Sequence, residues 1–285
     1  MNPSKWLDGD HLPSKIREEY KHVQRKGAFA VQFFSFAPIP ESMPGYLESF
    51  GLVHLIALGF IIFLGGLIVI FREKLRDAKR ERAMLLIATA VALVFEASYH
   101  LIQYLTLDYY EFLRHLIPFE LCGITLWLSV ALCISKNRTV FELLYFWGIG
   151  ALVSLLFADD DGAGPDRWRF YQYFGTHGYI VLTIVFFAAV RGFSIRLRSF
   201  VKAIVILFPI TIGMRFFDLA FSGPPYKFNF MFLVSPPDIS TPLDAFGHAW
   251  GYYFAFIALS LALMFIAYLP WPIARLFRRS PAGLN

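Results

Sequence analysis

The chain has 285 residues, 57% hydrophobic and only 16% charged, with a mean hydropathy of +0.55 and a net charge of +5. Ordinary soluble domains are about 45–50% apolar and about 25% charged, so a typical cytosolic enzyme, a disordered chain and a collagen-like chain are all excluded. Two cysteines, both in apolar segments, exclude a disulfide framework.

Residues 1–49 carry six Lys/Arg and six Asp/Glu with several prolines. Ser14 to Lys26 suits a short helix, and Phe29 to Phe36 is apolar enough to rest at a membrane interface. This stretch reads as an interfacial or flexible arm. No cleavable signal peptide is expected, because the first long apolar run starts near residue 50. Apolar runs of about 20 residues are long enough to cross a bilayer as helices. Seven such runs follow, at roughly 50–71, 83–107, 116–135, 139–158, 170–190, 200–221 and 247–270. The fifth is the least apolar, with a short core from Tyr179 to Val190. The expected fold is therefore all-α: a bundle of about seven transmembrane helices over residues 50–271, followed by a basic tail, 272–285.

The loops set the orientation. Fifteen of the 26 Lys and Arg lie in the 1–2, 3–4 and 5–6 loops and the tail, among them Arg72, Lys74, Arg80, Lys136, Arg138, Arg191, Lys202 and Arg275. The opposite loops hold four basic residues, including Arg169, against eight acidic ones. The positive-inside rule then puts the N-terminus outside and the C-terminus inside, and a cell-membrane protein is expected.

Ionisable groups at membrane depth are costly, so each is a functional candidate. His54 lies near the outer end of the first span, and Glu96, His100 and Gln103 share one face of the second. Glu120 and Cys122 open the third, and Asp159 to Asp161 close the fourth. His177 is about two turns into the fifth, Arg215 and Asp218 end the sixth, and Asp244 and His248 stand at the mouth of the seventh. Each has a bland reading. Arg215 and Asp218 are i, i+3 neighbours that can neutralise each other, the aspartates suit a solvated loop, and the end histidines suit an interface. One polar cavity opening to the outer leaflet accounts for all of them together. Glu142 is the exception, near the inner end of the fourth span.

Cys122 and Cys133 are eleven residues apart, about 16 Å along a helix, too far to bond. Cys133 reads as a small hydrophobe. A thiol in apolar surroundings is inert, and becomes a nucleophile only when a base approaches. His177, flanked by Gly175 and Gly178, is the histidine on offer. The flanking glycines would admit another backbone or a substrate to the imidazole.

Five stretches, IPFELCGI (117–124), FELLYFWGIGAL (141–152), FYQYFGTHG (170–178), KFNFMFL (227–233) and PLDAFGHAWGYY (242–253), resemble in order and spacing the YwaF-like family of multi-pass membrane proteins. His54 in FGLVHL also fits. Animal relatives of that family resemble acyltransferases that move a fatty acyl chain between phospholipids with a cysteine and a histidine. The resemblance implies that His177 and Cys122 fill those roles; in a lipid acyltransferase Glu120 or His100 would then orient the imidazole, and Asn229 or backbone amides would stabilise the oxyanion. Two positions depart from the bacterial pattern. Glu120 stands where histidine is common, and Ala158 precedes Asp159 where proline is common.

Three readings stay open. The first is a lipid acyltransferase acting on membrane phospholipids, with no cofactor, no metal and no nucleic acid. The second is a zinc-dependent hydrolase using His54, His100, His177 and His248, although the chain lacks H-x-x-x-H and H-E-x-x-H pairs. The third is a membrane binding or transport module, for which no inverted repeat is visible.

Overall fold

The structure, a computed structural model, describes residues 32–35, 39, 45–107, 112, 116–158, 162–223, 228–236, 245–246 and 250–279. The Ser14 to Lys26 segment, Asp159 to Asp161, Asp244 and His248 lie outside the described residues. The elements are helical, in the order α1 (Leu52–Ile70), α2 (Arg72–Leu75), α3 (Ala78–Thr106), α4 (Leu121–Ser135), α5 (Arg138–Trp147), α6 (Ile149–Leu156), α7 (Trp168–Ala189), α8 (Leu197–Phe221), α9 (Trp250–Tyr268) and α10 (Pro270–Arg279). Six are long and apolar enough to cross a membrane when α5–α6 and α9–α10 are each taken as one. The third expected span, α4, is a 15-residue apolar helix, shorter than the run from residue 116 because the described chain before it is not helical beyond Leu116. The C-terminal tail is helical as far as Arg279.

Sequence chemistry sets the helix ends. Asp77 begins α3 by accepting the Arg80 amide at 3.1 Å. The two-residue link between α4 and α5 works the same way. Lys136 takes the left-handed conformation that closes a helix, and Asn137 then accepts the Thr139 amide at 2.7 Å. In α8, Pro209 lies inside the helix and removes one backbone donor.

The centre of the bundle is α7, against which α1, α3, α4 and α6 all pack. It has the lowest mean hydropathy of the six candidate spans and is the most buried. A helix enclosed by protein keeps polar side chains that a lipid-facing helix would not, and Gln172, Thr176, His177 and Thr183 are all buried here. The outer helices instead expose Leu52, Ile62, Ile70, Ile87, Val205 and Phe254, the face a bilayer would cover.

Close packing around α7 uses the two glycines beside His177. A Cβ at Gly175 would lie 2.7 Å from the Phe95 ring of α3, and one at Gly178 would lie 3.2 Å from Ile61 of α1. The glycines therefore admit neighbouring helices rather than a substrate. Gly175→Ala is expected to cost about 1–3 kcal/mol by overpacking, read as a lower unfolding midpoint in detergent. Adding Phe95→Ala to the same chain should recover part of the loss.

The end of the bundle bearing most basic residues is held by two carboxylates. Glu81 pairs with Lys136 at 2.6 Å and with Arg191, and Glu142 pairs with Lys202 at 2.6 Å and Arg138 at 3.5 Å. Glu142, the expected exception at that end, thus joins α5 to α8. At the opposite end Tyr46 forms an isolated bridge with Ala163, and Phe33 and Phe34 stack on Trp168 at 6.2 and 6.4 Å. These short pieces of the N-terminal arm lie over the start of α7.

Candidate functional site

The described site residues lie where α3 and α8 end and α1, α4 and α7 begin, with Asn229 in the segment after α8. The structure divides them into three groups.

The first surrounds Cys122 and His177. Cys122 is in the first turn of α4, and its Sγ lies 3.7 Å from the Ser154 hydroxyl of α6. The Ser154 carbonyl accepts from the Tyr173 hydroxyl at 2.9 Å. The Tyr173 carbonyl in turn accepts from His177 Nδ1 at 2.8 Å, and the Tyr173 and His177 rings stack at 4.3 Å. A carbonyl only accepts, so Nδ1 carries the proton and the lone pair of the neutral ring is on Nε2. Ser154 and Tyr173 thus lie between Cys122 and His177, each contacting one of the two through a different atom from the one that joins them to each other. No hydrogen bond joins the two directly among the described residues.

Arg169, one turn before Tyr173, completes this group. Its guanidinium lies over the Tyr99 ring at 4.9 Å and the Tyr173 ring at 5.3 Å, and donates to Gln172. Its charge acts on both Cys122 and His177, and the Glu96 carboxylate also acts on His177. Glu96 pairs with His100 at 3.2 Å. Glu96 and His100 therefore form the polar edge of the group, and the direct partner of the imidazole is a backbone carbonyl. Arg169 was not among the expected site residues, because its position just before an apolar run made it one more outer-loop cation. Its spacing of eight from His177, two turns on the same helical face, was the available signal.

The second group is built around residues 228–235, which fold into the end of the bundle. Phe230, Met231 and Leu233 are buried there. Met231 and Phe232 have φ of 57° and 53°, a left-handed conformation that is uncommon for large side chains. Hydrogen bonds hold this shape. Glu120 accepts the Met231 amide at 2.8 Å, Tyr252 donates to the Phe232 carbonyl at 2.7 Å, and Arg215 donates to the Leu233 carbonyl. Asn229 accepts the Val234 and Ser235 amides at 3.0 and 3.1 Å and donates to the Ser235 carbonyl at 2.9 Å. Glu120 and Asn229 thus shape this loop. Arg215 is buried and stacks on Trp250 at 4.4 Å and Tyr253 at 5.0 Å, with buried Asp218 one turn on.

The third group is His54 alone. Its Nδ1 accepts the Phe50 amide at 2.8 Å and its Nε2 donates to the Leu155 carbonyl at 2.7 Å. Both nitrogens are therefore in use, and His54 ties the entry of α1 to the end of α6. His54→Ala leaves a buried carbonyl without its donor and is expected to cost about 1–3 kcal/mol. Thermal unfolding in detergent would read this, with activity per folded molecule unchanged.

Cys133 is not without polar company, as the sequence had suggested. Its Sγ lies 3.4 Å from the Tyr179 hydroxyl, which also meets Thr89 at 2.9 Å. Among the described residues no three His, Cys, Asp or Glu side chains come together as a metal site requires, and His54 lies apart from His100 and His177.

A comparison with curated proteins found no match, and a comparison with solved structures found none. A family model does match, over residues 49–268, more than half of the chain. That span contains all five stretches on which the family resemblance was read, together with α1 to α9. The chain is a multi-pass membrane protein and belongs to the TMEM164 family.

Proposed function

We propose that this chain is a membrane lipid acyltransferase in which Cys122 carries the acyl group and His177 moves the proton. The observation that carries the reading is the His177 ring. Its proton is fixed on Nδ1 by the Tyr173 carbonyl, so the lone pair is on Nε2, and Tyr173 also bonds Ser154, the residue beside the Cys122 thiol. The resemblance of animal relatives to cysteine- and histidine-dependent acyltransferases supports it independently. With the basic loops inside, the site would lie in the outer-leaflet half of the cell membrane, and phospholipid would reach it laterally between helices.

The reaction balances as two transfers. Nε2 takes the thiol proton and the thiolate attacks the ester carbonyl of a phospholipid. The lysophospholipid oxygen leaves with that proton, and the acyl group remains as a thioester on Sγ. A hydroxyl of the acceptor lipid then gives its proton to Nε2 and attacks the thioester, and the departing thiolate recovers the proton. The Cys122 side chain must leave Ser154 and reach Nε2 for the reaction to begin. Arg169, whose guanidinium lies over the Tyr99 and Tyr173 rings, would hold the lipid phosphate.

The test is covalent trapping. Purified protein incubated with a phospholipid labelled in its acyl chain should yield a peptide containing Cys122 with one acyl group, removed by hydroxylamine. Continued acyl transfer with no acyl group on that peptide would overturn the reading.

A further inference from the structure

A second site lies on a different face of α7. α1 and α3 both lean on α7 and leave between them an apolar groove of about 1030 Å³. On α1 it runs from Ile56 to Phe71, about 22 Å along the axis, most of the roughly 30 Å hydrocarbon thickness of a bilayer. Ala88, Ala92 and Gly178 keep part of its lining low, and neither Cys122 nor His177 contributes to it.

The charges in the lining are at one end only. Lys74 and Arg80 border the groove where α2 joins α1 to α3, and no Asp or Glu lines it. The neighbouring cations Arg72 and Arg76 are paired with Glu73, at 3.4 and 2.7 Å. Lys74 and Arg80 make no ion pair among the described residues, and both are exposed. A long apolar slot closed at one end by two available cations has the chemistry of one ligand class, an anion joined to an acyl chain. The chain's own Ser14 to Lys26 segment does not suit the slot, because eight of its thirteen residues are Lys, Arg, Glu or His.

We infer that the α1–α3 groove holds one anionic glycerophospholipid, with its phosphate between Lys74 and Arg80 and an acyl chain lying along α7. The lipid belongs to the leaflet on the basic side of the bundle, and it is separate from any lipid reacting at Cys122. A basic residue at the membrane surface contributes roughly fivefold to the affinity for an anionic lipid, so two give more than tenfold.

Native mass spectrometry of the full-length protein in detergent tests this, with phosphatidylglycerol or phosphatidylcholine added. One phosphatidylglycerol should be retained per chain, in preference to phosphatidylcholine. The double variant Lys74→Gln/Arg80→Gln should lower that retention at least tenfold. Lys79→Gln/Arg82→Gln, which removes the same charge outside the groove, should leave it unchanged. Ala88→Phe, which narrows the groove, should lower retention of both lipids. Equal losses from the two charge pairs, or no loss from Lys74→Gln/Arg80→Gln, would overturn the inference. A lipid-free dimer split by Ala88→Phe would give the groove to a second copy and also overturn it. The same measurement on Cys122→Ala separates this site from the proposed reaction. Unchanged retention supports a second site, and lost retention would place the lipid at the thiol instead.

Discussion

Cys122→Ser is expected to lower acyl transfer between phospholipids about 10²-fold or more, with the fold intact. The substitution changes one atom in the first turn of α4. Among the described residues the polar contact of Sγ is with the Ser154 hydroxyl at 3.7 Å, a weak one that a hydroxyl can replace. Unfolding in detergent should therefore shift little. Chemistry should change far more. At neutral pH a thiol is a few per cent ionised and intrinsically nucleophilic, whereas a serine hydroxyl is almost entirely un-ionised and must lose its proton during attack. The measurement is transfer of a labelled acyl chain to an added lysophospholipid, followed over time and normalised to folded protein. Full activity in the serine variant would remove Cys122 from the mechanism.

His177→Asn is expected to reduce the rate by about 10²–10⁴-fold, the range that general acid–base catalysis supplies. Asparagine is the informative replacement because its amide nitrogen lies near the position of Nδ1. It can still donate to the Tyr173 carbonyl, so the local structure is kept while the Nε2 base is deleted. The base serves both half-reactions, so acyl transfer should fall without accumulation of the Cys122 thioester. A merely structural histidine would give a different result, with the unfolding midpoint and the activity falling together.

Much of the architecture follows from patterns a reader can see in the sequence. Long apolar runs become helices, and Asp77 and Asn137 start α3 and α5 where a capping residue precedes a helical pattern. The weakest of the expected spans is the instructive one. α7 is the least apolar and turns out to be the most enclosed, so hydropathy measured exposure to lipid rather than helix formation. The glycines beside His177 illustrate a second limit. Glycine marks a close approach but does not name the partner, and here the partners are Phe95 and Ile61.

The candidate site was legible as a list and not as an arrangement. In the structure Glu96, His100, Cys122 and His177 lie near the same end of their helices. Rotation about each helix axis then decided which residues meet. It placed His54 against the Leu155 carbonyl, Glu120 against the Met231 amide, and Arg169 over Tyr173. Asn229 could not be assigned from sequence either, because its four loop contacts depend on the left-handed turn at Met231 and Phe232, which large side chains rarely adopt.

The enclosure of α7 also bears on how the protein enters the membrane. A segment carrying Arg169, Gln172 and His177 gains little by partitioning into lipid alone, since a single arginine at the centre of a helix opposes insertion by about 2.5–3.5 kcal/mol and is tolerated only nearer an end. The strongly apolar α1 and α9 meet no such obstacle. For α7, the favourable environment is the surface offered by its neighbours, and most of these precede it in the chain. The helix that bears His177 is thus retained in the membrane by assembly during synthesis, and the proposed site comes into being with the bundle.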